Sequence, residues 1–128
     1  MARQRDRGSS TIEMAILWPA VVAMLFGAIQ TACYFTARTV ALTAAQTAVT
    51  AERQLGAGQG VGERYAADLI ARSGDWLLEA TIEGPEYAGD GVTYHVRGEA
   101  ISLVPWLATF EVNQTAHGTL ERWTEVGR

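Results

Sequence analysis

The chain contains few residues of the types needed for nucleophilic catalysis. His95 would act as a general base and Ser73 or Ser102 as a nucleophile, provided that a sharp turn presented the hydroxyl group to a substrate. The sequence around Ser73 and around Ser102 does not resemble such a nucleophile elbow. We therefore predict that the protein is not an enzyme.

Metal binding requires histidine, cysteine or carboxylate ligands at suitable spacing. His95 and His117 have no cysteine or acid near them at ligand spacing, so we expect both to be solvated on strand surfaces. Glu83, Glu86 and Asp90 gather around one loop, but their spacing is not that of an EF-hand. We expect no metal ion and no cofactor.

Glu13 is the acid whose position is hardest to explain without a function. It precedes an uncharged, mostly apolar segment of 24 residues, Met14–Ala37, and the next charge is Arg38. A charge at the centre of a membrane helix costs about 2.5–3.5 kcal/mol, and less towards an end. Glu13 therefore either lies at the depth of the lipid headgroups or pairs with a positive group once the helix has left the lipid.

The apolar segment predicts a membrane-spanning helix. Its 24 residues would form a helix about 36 Å long, against a bilayer core of about 30 Å. The preceding residues 1–8 carry Arg3, Arg5 and Arg7 against one acid, Asp6, and such a basic flank predicts a cytoplasmic N-terminus and an exported remainder. A cleaved secretory signal is the alternative, but its apolar region would be shorter, about 7–15 residues.

The residues around Glu13 resemble a known signal. Gly8, four further residues and then Glu13, ahead of an apolar helix, resemble the processing site of type IV prepilins. Glu13 followed six positions later by Pro19 resembles the TadE-like pilus assembly proteins, the pseudopilins of tight-adherence (type IVc) pilus systems. The resemblance covers residues 1–40 well and the rest only in outline. It implies cleavage between Gly8 and Ser9.

The resemblance also implies a structural role in a pilus. In that family the glutamate at the fifth mature position, here Glu13, pairs with the N-terminal ammonium of a neighbouring subunit, and such a pair is strong where water is scarce. The implied partners are other pilin-like subunits, a prepilin peptidase, the inner-membrane assembly platform and membrane lipid. The implied location is the cell membrane, as a single-pass protein with a cytoplasmic N-terminus and an extracytoplasmic C-terminal domain, or an extracellular pilus.

Two residues depart from the pilin pattern. Ser9 stands where a large apolar first residue is common, and Met14 stands where an aromatic residue is common. The alternative hypothesis is therefore an uncleaved, single-pass membrane-anchored accessory or binding domain. Pro19 removes one backbone hydrogen bond and predicts a helix kink. The kink either has no functional consequence or marks the position at which the helix straightens or locally unfolds when the subunit enters a filament.

Length and charge limit the remaining possibilities. The 128 residues suffice for one membrane helix and one small domain. The net charge of −4 argues against nucleic-acid binding, which needs a basic face. Cys33, the one cysteine, lies in the apolar segment, so we expect it to contribute to packing.

The predicted fold is α+β: a long N-terminal transmembrane helix extended into a stalk, followed by a small domain with a short helix and a three- to four-stranded antiparallel sheet. We divide the chain into a basic leader (1–8), the transmembrane and stalk helix (9–55), a Gly-rich linker (56–62) and an exported head (63–128). The predicted buried face of the stalk comprises Ala41, Ala44, Ala45, Ala48 and Leu55. The short helix, residues 63–73, would bury Tyr65, Ala66, Leu69 and Ile70 and end at Gly74.

Alternating apolar residues predict three strands. The first, residues 76–83, would turn Trp76, Leu78, Ala80 and Ile82 towards the core. The loop 84–91 would close the first hairpin. The second would bury Val92, Tyr94, Val96 and Ala100, and the third would bury Phe110, Val112, Gln114 and Ala116. Pro105 and Trp106 mark the turn between them. For Trp106 and Trp123, core packing, membrane anchoring and a subunit contact remain open.

Overall fold

The computed structural model describes residues 6–54, 57–104, 106 and 108–120. These ranges contain α1 (Asp6–Arg53), α2 (Val61–Arg72), β1 (Leu77–Ala88), β2 (Gly91–Ala100) and β3 (Phe110–Thr119). The strands form one antiparallel sheet in the order β1-β2-β3. The predicted α+β class is confirmed. The chain divides into two compact units, residues 1–32 and 33–128, and α1 contributes to both.

The first unit contains the N-terminal part of α1, where the apolar side chains are exposed. Every residue from Ser10 to Ile29 is exposed, and these 20 residues span about 30 Å as a helix. By length and composition α1 could cross a membrane, and its most apolar window is entirely exposed. The predicted apolar N-terminal helix is confirmed, and it continues through Pro19.

In the second unit, α1 packs against the sheet through a face of small residues. Alanine is the strongest helix former, and its methyl side chain lets a sheet approach the helix backbone closely. The predicted face is confirmed up to Ala48, while Leu55 lies outside the described residues. Cys33 is also buried. The alanines on this face have no exposed surface: Ala37, Ala41, Ala44, Ala45 and Ala48.

The inner face of the sheet supplies the larger core residues. On the central strand β2 the predicted alternation is confirmed, since Val92, Tyr94, Val96 and Ala100 are all fully buried. On β3, Val112 is buried and its neighbours Glu111 and Asn113 are exposed, as predicted. The core therefore consists of an alanine-rich helix face packed on β2 and β3, together with Leu77 of β1 and Ala66 of α2.

The predicted inward face of β1 is wrong at its beginning. Leu77 is buried, whereas Trp76 and Leu78 are exposed. The reason is a β-bulge between Leu78 and Thr81, which inserts an extra residue and reverses the alternation. Beyond the bulge Ile82 packs against the core as predicted.

Glycine on the neighbouring strand makes room for this arrangement. A Cβ atom at Gly98 would lie 2.7 Å from Cδ1 of Leu77, so the leucine side chain occupies the space over the glycine. Glu79, inside the bulge, has φ of 48°, a backbone conformation that is unfavourable for residues other than glycine. The alternation of apolar residues in the sequence predicts neither the contact of Leu77 with Gly98 nor the positive φ of Glu79.

The predicted hairpin loop at residues 84–91 is also wrong. β1 continues to Ala88, and only Gly89 and Asp90 form the turn. A second irregularity, between Glu83 and Glu86, accommodates Pro85 within the strand. β1 is an edge strand, where a residue without an N–H group is tolerated.

Helix α2 packs on the core through its middle and C-terminal turns. Ala66 is fully buried, and Leu69 and Ile70 are partly buried against the core. Tyr65, which the sequence placed in the same apolar stripe, is exposed and lines a surface groove with residues of α1, among them Thr47 and Thr50. Gly74 follows the helix with φ of 83°, as expected for a C-terminal stop.

Candidate functional site

Glu13 lies in the exposed apolar part of α1. Its side chain is exposed and lines a shallow groove with Ser10, Met14 and Leu17. A carboxylate on an apolar, exposed helix face is available to a positive group of another molecule.

The residues of the predicted processing site lie at the beginning of α1. Gly8 and Ser9 belong to the first turn of the helix, which begins at Asp6.

The serines and the histidine considered for catalysis are not brought together. The hydroxyl of Ser73 donates a hydrogen bond to the carbonyl of Leu69, and that of Ser102 donates to the carbonyl of Val104. His95 instead forms a hydrogen bond with Thr115, with Nδ1 and Oγ1 2.8 Å apart. In the described part of the chain this Ser/His combination does not form a catalytic arrangement.

The outer face of the sheet carries two Thr–His pairs. Thr93 and His117 are directly opposite each other, with Oγ1 and Nδ1 2.9 Å apart, and His95 and Thr115 form the equivalent pair one step along. Nε2 of His95 lies 3.6 Å from the carboxylate of Glu86. Both histidines therefore lie on the outward faces that the sequence predicted. No group of three or more metal-ligating side chains occurs among the described residues.

Sequence reasoning missed Glu52, a buried residue of the second unit with four hydrogen-bond partners. It is 6% exposed. Its carboxylate accepts hydrogen bonds from the backbone N–H groups of Gly60 and Gly62, each at 2.9 Å. It also accepts hydrogen bonds from the hydroxyls of Tyr87 at 2.5 Å and Tyr94 at 3.0 Å.

These four hydrogen bonds join most of the elements of the second unit. Gly60 is the N-cap residue of α2 and makes no side-chain cap itself. Glu52, from the end of α1, supplies the acceptor in its place, and a negative charge near a helix N-terminus is favourable. Tyr87 belongs to β1 and Tyr94 to β2. One carboxylate therefore fixes α1, α2 and two strands relative to one another.

The same contacts shift the pKa values of Glu52, Tyr87 and Tyr94. All three residues belong to the second unit and lie outside the exposed apolar part of α1. Burial acts to raise the pKa of Glu52, but the hydrogen bonds from Tyr87, Gly62, Gly60 and Tyr94 outweigh it, and the pKa lies below its ordinary value of 4.5. The hydrogen bond to Glu52 raises the pKa of Tyr87 to about 12. Burial, and then the same carboxylate, raises the pKa of Tyr94.

A signal for Glu52 was present in the sequence. It follows Ala48 by four residues and Ala45 by seven, so helical periodicity places it on the buried alanine face. A charged residue on such a face requires partners. The partners come from loops and strands up to 42 residues away, and the sequence does not identify them.

Comparison with known proteins gives a match to a protein family. Residues 8–50 match the model of a family described as TadE-like protein. The matched range contains Glu13, Pro19 and the buried alanine face, and the resemblance found in the sequence is confirmed. No curated protein and no solved structure gave a significant match to the chain.

Proposed function

Because residues 8–50 match the TadE-like family, we propose that this protein is a pilin-like structural or assembly subunit of a tight-adherence pilus. Members of this family are structural components of pili and are not enzymes. The observation that carries the proposal is the coincidence of this match with a continuously exposed, mostly apolar part of α1, Ser10–Ile29, in which the acid is Glu13.

In the proposed arrangement the N-terminal helix anchors the protein in the membrane, with its N-terminus in the cytoplasm and the second unit outside. The basic residues before the apolar segment support this orientation. A prepilin peptidase cleaves between Gly8 and Ser9 and creates a new ammonium group at Ser9. Subunits then pack through their apolar helices, because the exposed side chains of Ser10–Ile29 need lipid or protein around them.

Glu13 would set the register of neighbouring subunits by pairing with the ammonium group of Ser9 of another copy or of another pilin-like subunit. Both groups would otherwise remain as isolated charges in an apolar environment, which is strongly unfavourable. Pro19 would allow local bending of the helix on transfer from lipid to the assembled pilus.

Two measurements on protein from its own host test this proposal. Intact-mass analysis of assembled material is expected to show loss of residues 1–8 and an N-terminus at Ser9. Retention of Met1 in assembled material would instead support the alternative, an uncleaved membrane-anchored accessory domain.

The second measurement compares Glu13→Gln with Glu13→Asp. Both variants should enter the membrane, because neither adds charge to the helix. Glu13→Gln should lose incorporation into pili or pilus-assembly complexes by at least tenfold, which corresponds to about 1.4 kcal/mol, whereas Glu13→Asp should retain part of it. Equal incorporation of wild type and Glu13→Gln would refute the pairing role.

A further inference from the structure

The exposed apolar side chains of the second unit are not distributed evenly. Residues 33–128 expose eight large apolar or aromatic side chains among those described. Tyr65 and Tyr87 are two of them, and both have a hydroxyl group. We call the other six the apolar rim: Phe35, Trp76, Leu78, Leu103, Trp106 and Phe110.

Strand register places the rim at one end of the unit. Ala100, the last residue of β2, pairs with Leu77 on one side and with Phe110 on the other. Trp76 and Leu78 flank Leu77 in the chain. Leu103 and Trp106 lie in the connection that leaves β2 after Ala100 and returns at Phe110.

Helix α1 enters the second unit at this same end. The rings of Tyr34 and Phe110 are 6.3 Å apart in an edge-to-face contact, and the ring of Phe35 contacts that of Tyr34. At the other end of the sheet, Nε of Arg53 donates a hydrogen bond to the carbonyl of Thr119 at 2.5 Å. The helix therefore runs along β3 from the rim to the opposite end.

The opposite end has a different character. It consists of the Gly89–Asp90 turn, the end of β3 and the residues held by Glu52. Its exposed side chains include Glu86, Asp90 and Gln59. The six side chains of the apolar rim thus lie at one end of the unit, whereas the exposed aromatic side chain at the other end, Tyr87, carries a hydroxyl group bound to Glu52.

The position of the rim in the chain indicates what covers it. Tyr34 and Phe35 follow Ile29, the last residue of the continuously exposed apolar segment, by only five and six residues. Aromatic side chains, tryptophan above all, favour the boundary between lipid and water. Trp106 is 87% exposed, which is far more than an aromatic side chain in a protein core.

The charges next to the rim restrict the type of lipid. Glu99 and Glu111 are directly opposite each other on the outer face of the sheet, one residue from Ala100 and Phe110. Two carboxylates at this position would be repelled by anionic headgroups. Asp75 and Glu79, beside Trp76 and Leu78, are also exposed, and Arg38 is an exposed base three residues after Phe35. Because the acids outnumber the base, the rim suits a surface of zwitterionic lipid.

We propose that the apolar rim lies in the headgroup region of the membrane that α1 crosses, so that the second unit rests on the bilayer surface. This proposal requires α1 to span the membrane, but neither cleavage after Gly8 nor the pairing of Glu13.

The test uses the full chain in phosphatidylcholine nanodiscs that hold one copy each. In a Cys33→Ala background, a nitroxide spin label is attached to Ala108→Cys, which is exposed and two residues from Trp106. The matched control is Ala88→Cys, which is also exposed but lies beside the β1–β2 turn. Collision rates with oxygen, which partitions into lipid, and with a water-soluble nickel chelate report the depth of each label.

The label at residue 108 should collide with the nickel chelate several-fold less often than the label at residue 88, with no decrease in its oxygen collisions. Adding Trp106→Ser should increase the nickel collisions at residue 108 several-fold, and near-UV circular dichroism should remain unchanged.

Equal nickel collision rates at the two positions would overturn the proposal. Protection that appears only when several copies share one disc would also overturn it, because a second copy would then cover the rim. Glu13→Gln should not change either rate, so a failure of the pairing role can be told apart from a failure of this proposal.

Discussion

The carboxylate of Glu52, at the end of α1, accepts a hydrogen bond from the N–H group of Gly62, in the first turn of α2, at 2.9 Å. A side chain at the end of one helix thereby accepts hydrogen bonds from the free N–H groups at the beginning of the next. Because Tyr87 and Tyr94 bind the same carboxylate, this contact connects the two helices to the sheet.

Removing the charge of Glu52 should destabilise the folded unit. Hydrogen bonds to charged groups contribute about 1.5–3 kcal/mol each, and unsatisfied buried donors are costly. We expect Glu52→Gln to lower the free energy of unfolding by about 3 kcal/mol and Glu52→Ala by about 3–5 kcal/mol. Thermal unfolding of the full chain in detergent, followed by near-UV circular dichroism, measures this change. Glu63→Gln, the same change at an exposed position of α2, should stay within about 0.5 kcal/mol.

Adding a methyl group at Gly62 should separate α1 from α2. A Cβ atom there would collide with the carbonyl oxygen of Ala48 and lie 2.8 Å from the hydroxyl of Tyr94. Overpacking of this kind costs about 1–3 kcal/mol, so Gly62→Ala should unfold at a lower temperature. Gly58→Ala serves as the control, because its Cβ atom would meet only Val61 at 3.7 Å. Equal melting temperatures for the two variants would contradict the close approach.

The stability of the second unit should depend on pH at both extremes. The pKa of Glu52 is lower in the folded state, so its contribution is present above the unfolded pKa and is lost as the pH falls through the folded pKa. The pKa of Tyr87 is raised to about 12, so its contribution is present below about 10 and is lost as the pH rises towards 12. Urea unfolding across the pH range should show both losses. Glu52→Gln should flatten the acid limb. Tyr87→Phe should make the alkaline limb shallower without removing it, because the pKa of Tyr94 is raised as well.

Replacing a residue by glycine should leave the melting temperature unchanged at Glu79, in the bulge of β1, and should lower it at Glu83, further along the same strand. Glu79 has φ of 48°, which costs about 1–2 kcal/mol for a residue with a side chain. Glu79→Gly relieves this cost and should not lower the melting temperature. Glu83→Gly, at a residue that pairs with His95 just before the second irregularity and has no positive φ, should lose about 1 kcal/mol through chain entropy. A larger loss for Glu79→Gly than for Glu83→Gly would show that the bulge is not formed in solution.

Much of the architecture follows from local patterns in the sequence. The apolar segment after Glu13, the alanine face of α1 and the alternation in β2 are each repeats of period 3.6 or 2. Such repeats decide which side of an element is buried before any tertiary contact exists. The α+β class, the N-terminal apolar helix and the inward residues of β2 were predictable for this reason, and the residues that carry the family resemblance are equally local.

Tertiary structure decided the features that depend on residues distant in the chain. Leu77 occupies the space over Gly98, and the bulge that follows it, between Leu78 and Thr81, reversed the face predicted from Trp76 and Leu78. The partners of Glu52 come from a helix N-terminus and two strands, and no repeat within α1 specifies them. The apolar rim likewise arises from strand register, which brings together Phe35, Trp76 and Trp106 from three parts of the chain. Periodicity along one element determines which side of it is buried, whereas only the packing of several elements determines what each buried or exposed side chain contacts.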